Sequence, residues 1–368
     1  MSCISPLHIS HSASFGDGGI SFAVSDLLAA QQDLRIYSRW LTADRFSPLV
    51  RAKSLLKSAI SAESSVCHLH GLWRTQTRIA LHLKKQNIPY IISPHGMLDS
   101  WALAHSAWKK RLAWHLWESS ALQEASCLQA LCHTELIAIQ QRVRGVPIAL
   151  IPNGVNMPSK VIASDEDLPW QGVIPIDAKI LLFFGRFHQK KGLEPLMNAW
   201  QAISLEAEKN GWWLVFIGFG DDGRFQTQLQ DCPVRNCRAF DAVFGSTKHA
   251  VLQHASAFIL PSFSEGLPMA VLEAMAYGLP ILISQACNLP EAFSHKAALQ
   301  AEPEVDALCQ ALLQLFSLSD SHLNILGNNA RHLVEKSFSW QQVATQTLQL
   351  YDWIDGNSDV PKFVINDY

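Results

Sequence analysis

Charge is scarce in this chain. Only 17 % of its 368 residues are charged, and the formal net charge is −3. No basic or acidic field is available to hold a polyelectrolyte, so no nucleic-acid partner is expected. Paired cysteines are missing too. The eight cysteines are scattered, with no Cys-x-x-Cys and no zinc spacing. Reduced thiols in a cytoplasmic protein are the simplest account. No apolar run approaches the roughly 20 residues that a membrane span needs. The first residues, MSCISPLHISHSASFGDGG, lack the basic head and long apolar core of a secretory signal. The dinucleotide fingerprint Gly-x-Gly-x-x-Gly is absent as well, because Ser21 stands where its third glycine would be.

What the chain does have is alternation. Hydrophobic residues make up 48 %, and the length suffices for two full cores. Short apolar runs read as strands at 5–10, 35–38, 66–69, 90–93, 127–131 and 148–152. Helical patterns fill the gaps at 21–30, 47–60, 74–86 and 134–143. A second series has strands at 180–184, 214–217, 235–240, 258–260 and 281–283, with a helix at 247–255. It ends in helices at 303–317, 320–336 and 339–354. Repeated strand–helix units of this length predict an α/β fold of parallel sheets with helices on both faces. Residues 156–177, rich in Pro and Asp, suit a linker, and Asp165-Glu166-Asp167 within it reads as solvated charge. Domain limits are expected at 1–160 and 161–338, with a crossing helix and tail at 339–368.

The stretch 257–284, AFILPSFSEGLPMAVLEAMAYGLPILIS, organises the rest. Phe258 to Leu260 form a strand that Pro261 and Ser262 stop. Glu265 and Gly266 lie in the loop, and Pro268 sits where a first helical turn tolerates its missing N–H. Met269 to Tyr277 propagate as helix, Gly278 ends it, and Ile281 to Ile283 begin the next strand. Such loops lie at the carboxyl edge of a parallel sheet, where these sheets bind ligands. An anion could rest on the first helical amides. Glu273 could accept hydrogen bonds from sugar hydroxyls.

Other strand ends carry chemistry. Phe15-Gly16-Asp17-Gly18-Gly19 follows the first strand, and a glycine-rich turn there lets backbone approach a phosphate. His70 and His95 both follow strands, at the ligand side. Arg186 and Lys191, five apart in a strand–loop–helix corner, suit a diphosphate: Arg as a fork, Lys as a point charge. Asp221 and Asp222 read as helix caps. In WALAHSAWKKRLAWHLWE (101–118), Trp101, Ala104, Trp108, Leu112 and His115 share one helical face, with Lys109, Lys110 and Arg111 spread around the rest. That pattern fits a core helix with a cationic edge, and it also fits a helix lying on an anionic membrane.

The central stretch resembles the signature of the family 4, or group 1, glycosyltransferases. Pro261, Ser262, Glu265, Gly266, Glu273, Ala274, Met275, Ala276, Gly278 and Pro280 match it, ten residues in order within twenty positions. The resemblance implies a GT-B architecture, two Rossmann-like domains facing each other across a cleft, with the final helix crossing back to the first. It implies sugar transfer from a UDP- or GDP-linked donor to a hydroxyl with retained anomeric configuration, no metal and no cofactor. By resemblance, Gly18 and Gly19 face the donor diphosphate, and Arg186 and Lys191 neutralise it as it leaves. His95, a better match than His70, meets sugar hydroxyls or the acceptor. Phe240 and Val243 lie in the segment that reads the base. Glu265 orients the sugar, the segment Gly266, Leu267, Pro268 and Met269 marks the anion corner, and Glu273 holds the ribose. The acceptor is expected to be a glycan or lipid-linked glycan for cell-surface polysaccharide, with peripheral contact through 101–118 at the inner membrane face. Two further readings share this architecture: a nucleotide-sugar epimerase and a non-catalytic nucleotide-sugar binder. A lysine-bound pyridoxal phosphate, as in phosphorylases, has no support in the sequence.

Overall fold

The computed structural model describes residues 4–366 except 15–18, 100–101, 104–105, 159–167, 221–222 and 232–233. Gly18, the Asp165–Asp167 run, Asp221, Asp222, Trp101 and Ala104 therefore lie outside the described residues. The strands in chain order are β1 (Pro6–Ser10), β2 (Arg39–Thr42), β3 (Val66–His70), β4 (Tyr90–Ser93), β5 (Cys127–Ala130), β6 (Ile148–Leu150), β7 (Lys179–Arg186), β8 (Trp212–Phe219), β9 (Cys237–Asp241), β10 (Ala257–Leu260), β11 (Ile281–Ile283), β12 (Ala298–Gln300) and β13 (Val364–Ile365). They form two sheets, one in each of two compact units: Met1–Gly154 with Trp340–Tyr368, and Val155–Ser339.

The first unit holds a seven-stranded sheet in the order β2-β1-β3-β4-β5-β6-β13. Its neighbours run parallel except β13, which is antiparallel to β6. Alternation along the strands sorts side chains between two faces. Leu7, Ile9, Cys67, Leu69, Tyr90, Ile92 and Leu128 build the core on one face. On the other, Val66, Ile91, Cys127 and Ala149 meet Ala23 and Leu27 of helix Gly19–Asp33 and Val343, Ala344 and Leu350 of helix Trp340–Ile354. That last helix returns to the first unit, as the resemblance implied. Its packing depends on Gly154, where a Cβ would lie 2.5 Å from the Trp340 ring.

The second unit is a six-stranded parallel sheet in the order β9-β8-β7-β10-β11-β12. The chain moves outward from β7 to β8 and β9, then starts again on the other side of β7 with β10. This reversal is a topological switch point, which opens a crevice at the carboxyl ends of β7 and β10. A single apolar core surrounds the sheet, with Phe183, Phe216, Trp200 and Trp212 fully buried.

Several expectations need correction. The strand expected at 35–38 is β2, four residues later. Helix Gly19–Asp33 ends on Arg35 in the left-handed region (φ 61°), and Ile36 N–H still bonds back to Gln31. Pairing with β1 begins only where Arg39 stands opposite Leu7. The helix expected at 74–86 is two segments, Thr75–Arg78 and Ala80–Lys85, broken at Ile79. The β12 and β13 strands went unseen because they are three and two residues long, too short to show a period.

Candidate active site

In the second unit, the loops after β7 and β10 are stitched together at the switch point. Gly192 adopts φ +69°, and a Cβ there would lie 2.0 Å from the Pro261 carbonyl oxygen. Only glycine permits that approach. Phe263 N–H donates to the Lys190 carbonyl at 2.7 Å. Gly218 is crowded in the same way, with its Cβ position 1.8 Å from the Gly185 carbonyl oxygen.

Lys191 Nζ lies 2.7 Å from Glu265, with side-chain exposures of 16 % and 8 %. Ser262 Oγ–H donates to Glu265 Oε1 at 2.7 Å, and Glu265 N–H donates to the Ala286 carbonyl at 3.0 Å. Asn288 Nδ2 donates to the Glu265 and Gly266 carbonyls. Glu265 is thus fixed at both backbone and carboxylate, beside a cation that faces the sheet edge. Helix Met269–Ala276 follows, with Pro268 at its N-cap rather than in its first turn. Val271 and Leu272 N–H bond back to the Pro268 carbonyl, which leaves the Met269 and Ala270 amides at the helix head for an anion.

Glu273, inside that helix, is paired with Lys248 at 2.7 Å, and both are about a quarter exposed. Lys248 comes from helix Gly245–His254 and lies 5.8 Å from the Phe184 ring centre. Arg186 is exposed at the end of β7, its guanidinium 5.8 Å from the Phe219 ring centre. Phe240, Val243, Leu267 and Met269 are half-buried against the core, and Gly266 is exposed. The structure therefore brings Lys191 to Glu265 and Glu273 to Lys248. Reading the sequence missed Lys248 and Asn288 and gave Ser262 no role beyond its match to the family pattern, although a lysine heading the helix before the central stretch was a visible signal.

In the first unit Gly19 opens its helix and is exposed. His95 follows β4 in the left-handed region (φ 54°), and Gly96 follows likewise (φ 74°). Gly96 N–H donates to Glu135 Oε1 at 2.5 Å, and Leu131 N–H donates to Glu135 Oε2 at 2.8 Å. Burial pushes the Glu135 carboxyl up to about 7. His95 Nε2 lies 3.1 Å from His70 Nδ1, and His70 Nε2 lies 2.9 Å from His8 Nδ1. Burial holds His8 and His95 down near 4, and His68 and His70 well below the ordinary imidazole range. His70, the last residue of β3, is 3 % exposed. His8 and His68 were not singled out from the sequence. Their alternation with apolar residues in Leu7-His8-Ile9 and Cys67-His68-Leu69-His70 was the available clue.

Beside Leu72 and Met97 opens a pocket of about 730 Å³. Trp73, Trp108 and Trp117 line it, with Arg74, Arg78 and Lys109. A π-helical turn, Trp114–Glu118, interrupts the helix there and carries Glu118 inward. Glu118 accepts from Trp73 N–H at 2.9 Å and Thr77 Oγ1–H at 3.0 Å, and burial pushes it up to about 7. Trp108, Leu112 and His115 do share a face, and it is exposed, while Ala113, Trp114 and Glu118 pack inward. Among the described residues no helix is long and apolar enough to cross a membrane.

Residues 164–333 match the model of the glycosyl transferases group 1, and residues 18–154 match that of the glycosyl transferase 4-like domain. The chain belongs to the group 1 glycosyltransferases. Among relatives of this family is the O-antigen chain mannosyltransferase B of Escherichia coli, 30 % identical over 188 residues. That match covers 50 % of this chain and 46 % of the relative, so the chain spans about half the length of such curated relatives. The GT-B fold is shared with solved structures. A sucrose-phosphate synthase from Thermosynechococcus elongatus superposes with a TM-score of 0.73 at 20 % identity, covering 96 % of this chain and all of that one. Anabaena HepE, solved in complex with UDP-glucose, gives 0.71 at 14 % identity, covering 95 % and 100 %.

Proposed function

We propose that this group 1 glycosyltransferase moves a sugar from a UDP- or GDP-linked donor to a hydroxyl of a glycan or lipid-linked glycan, retaining anomeric configuration and using no metal. The observation that carries the reading is the Lys191–Glu265 pair, mostly buried and locked at the switch point of the second unit. Breaking the anomeric C–O bond leaves negative charge on the diphosphate and positive charge on the sugar. Arg186, Lys191 and the N–H groups of Gly266, Leu267 and Met269 stabilise the first charge, and Glu265 orients the sugar that carries the second. An arriving diphosphate competes with Glu265 for the Lys191 ammonium, so the cation is held in place before the donor comes. Glu273, steadied by Lys248, takes the ribose hydroxyls, while Phe240 and Val243 border the base.

The acceptor belongs to the first unit. Tryptophan faces suit sugar rings, and Arg74, Arg78 and Lys109 favour an acceptor that carries negative charge. The exposed Trp108, Leu112 and Leu116 beside Lys109 and Arg111 suit peripheral contact with an anionic membrane at its cytoplasmic face. The mannosyltransferase relative supports a place in cell-surface polysaccharide synthesis.

A thermal-shift screen of nucleoside diphosphates and their sugars tests the donor half. A UDP or GDP sugar should raise Tm, and Lys191→Ala should weaken the shift. Indifference to every nucleotide sugar would sink the reading.

A further inference from the structure

Nine polar groups line up across the first unit, hydrogen-bonded at every link but the one between Tyr351 and Gln31, and their directions can be worked out from one end. Gln129 Nε2 donates to the Ile151 carbonyl at 2.9 Å, which fixes the orientation of that amide. Its Oε1 then accepts from Ser93 Oγ–H at 2.8 Å. Having given its proton, Ser93 accepts from His68 Nε2–H at 2.6 Å. His68 Nδ1 is left bare and accepts the Tyr351 hydroxyl proton at 2.8 Å. The Tyr351 oxygen faces the Gln31 amide, the loosest link, where Gln31 Nε2 stops short of full hydrogen-bond geometry. With its nitrogen turned that way, Gln31 presents Oε1 to His8 Nε2 at 3.1 Å, so His8 carries its proton there. His8 Nδ1 is bare and receives His70 Nε2–H, and His70 Nδ1 is bare and receives His95 Nε2–H.

We propose that this line fixes the tautomer of His95, leaving its Nδ1 lone pair as a dedicated acceptor for a hydroxyl of a sugar bound to the first unit, with His70, His8 and Tyr351 as positioning residues. The proposal rests on the reading of His95 as a sugar-contacting residue. Successive polarisation along such a line strengthens each link, and a neutral imidazole with one committed N–H offers the other nitrogen as an acceptor only. Backbone geometry holds the same end of the line: His95 and Gly96 are both left-handed, and Gly96 N–H is tied to Glu135. An imidazole whose burial holds it near 4 takes a hydroxyl proton poorly, so orientation, and not proton removal, is its part.

The ring nitrogens of His8, His68 and His70 lie within 4.8 Å of one another, close enough to suggest a metal. The line argues otherwise. All six nitrogens already have partners, and the His68 and His70 rings are stacked 4.2 Å apart, so their lone pairs do not converge.

Nitrogen-15 NMR of the full chain labelled in histidine reads the tautomers without any substrate. His8, His68, His70 and His95 should all appear neutral and protonated on Nε2 at pH 6 to 7. A His95 proton on Nδ1, which a reversed Gln31 amide would impose, overturns the proposal. So does one equivalent of zinc moving the His8, His68 and His70 signals together. His70→Gln keeps an acceptor for His95 and a donor for His8, whereas His70→Phe keeps neither. In a transfer assay, His70→Phe should lower kcat/KM by about tenfold or more, with His70→Gln recovering most of it. Equal loss in both variants, with His95 unchanged in the spectrum, also overturns it. If the wild-type chain transfers no sugar, the proposed function fails and the spectrum still decides the tautomer.

Discussion

The two units present opposite solutions at the same kind of place. Each sheet has a switch point between parallel strands, β1 and β3 in one and β7 and β10 in the other. The second unit puts formal charge there: Lys191 on Glu265, and Lys248 on Glu273. The first unit puts neutral imidazoles there, desolvated until they no longer ionise near neutral pH. The difference follows from the work proposed for each. A departing diphosphate needs fixed countercharge, whereas a hydroxyl needs a partner that orients it without binding a competing anion.

The sharpest way to break this contrast is to remove charge from the second unit. Arg186→Ala and Lys191→Ala should each cut turnover by about 100-fold or more, the scale for one lost transition-state donor. Glu273→Ala should weaken donor binding more than Arg186→Ala does. Steady-state kinetics beside donor titration separates these effects, and equal, small changes in all three variants would remove the assigned roles.

Next in size is the pH dependence of stability. Unfolded imidazoles titrate near 6.5, but burial holds His8 near 4 in the fold. Between those values the unfolded chain binds more protons, so the stability from His8 is full above about 6.5 and is lost as pH falls toward 4. The swing is on the order of 3 kcal/mol for such a shift. Glu135 acts in the opposite sense. Its pKa is raised to about 7, so its contribution is full below the ordinary carboxylate range and is lost as pH rises through 7. Denaturant titrations between pH 4 and 7 should show a shallower acid loss in His8→Phe and a steeper one in Glu135→Gln. Parallel curves for both would mean that neither group is desolvated.

A smaller effect separates backbone from charge. Gly192→Ala should cost about 1–3 kcal/mol, because a Cβ meets the Pro261 carbonyl in a left-handed turn. It should also lower turnover, because Lys191 and Glu265 share that contact. Full activity in a destabilised variant would show that the two loops are joined for stability alone. Smallest of all, Lys248→Met should weaken donor binding only a few-fold, since a partly exposed ion pair contributes about 1 kcal/mol or less.

The second unit was far more legible in the sequence than the first. Its central stretch carries its own punctuation: Pro261 ends a strand, Gly278 ends a helix, and both glutamates fall at the positions that the family pattern requires. The partners of those glutamates were harder to find, because Lys248 and Asn288 reach the site from elements whose packing no local pattern encodes. In the first unit, His8, His68 and Tyr351 lie far apart in the chain and share a line only because β1 and β3 pair with His8 opposite His68. Register across a sheet is a tertiary fact, and a single histidine amid apolar neighbours gives no sign of it. The exposed face of Trp108 and Leu112 could have been read either way, since the same period serves a core or a surface.

The position of Tyr351 also has a consequence for how the protein is made. A ribosome releases the first unit's strands early, yet the tyrosine that completes their polar interior, and the helix that covers Ile91 and Cys127, arrive only after the whole second unit. Until then the half-built sheet would hold its imidazoles open to water and its apolar face uncovered. Chains cut short before residue 340 should be prey for proteases and chaperones, even with every strand from β1 to β6 already synthesised.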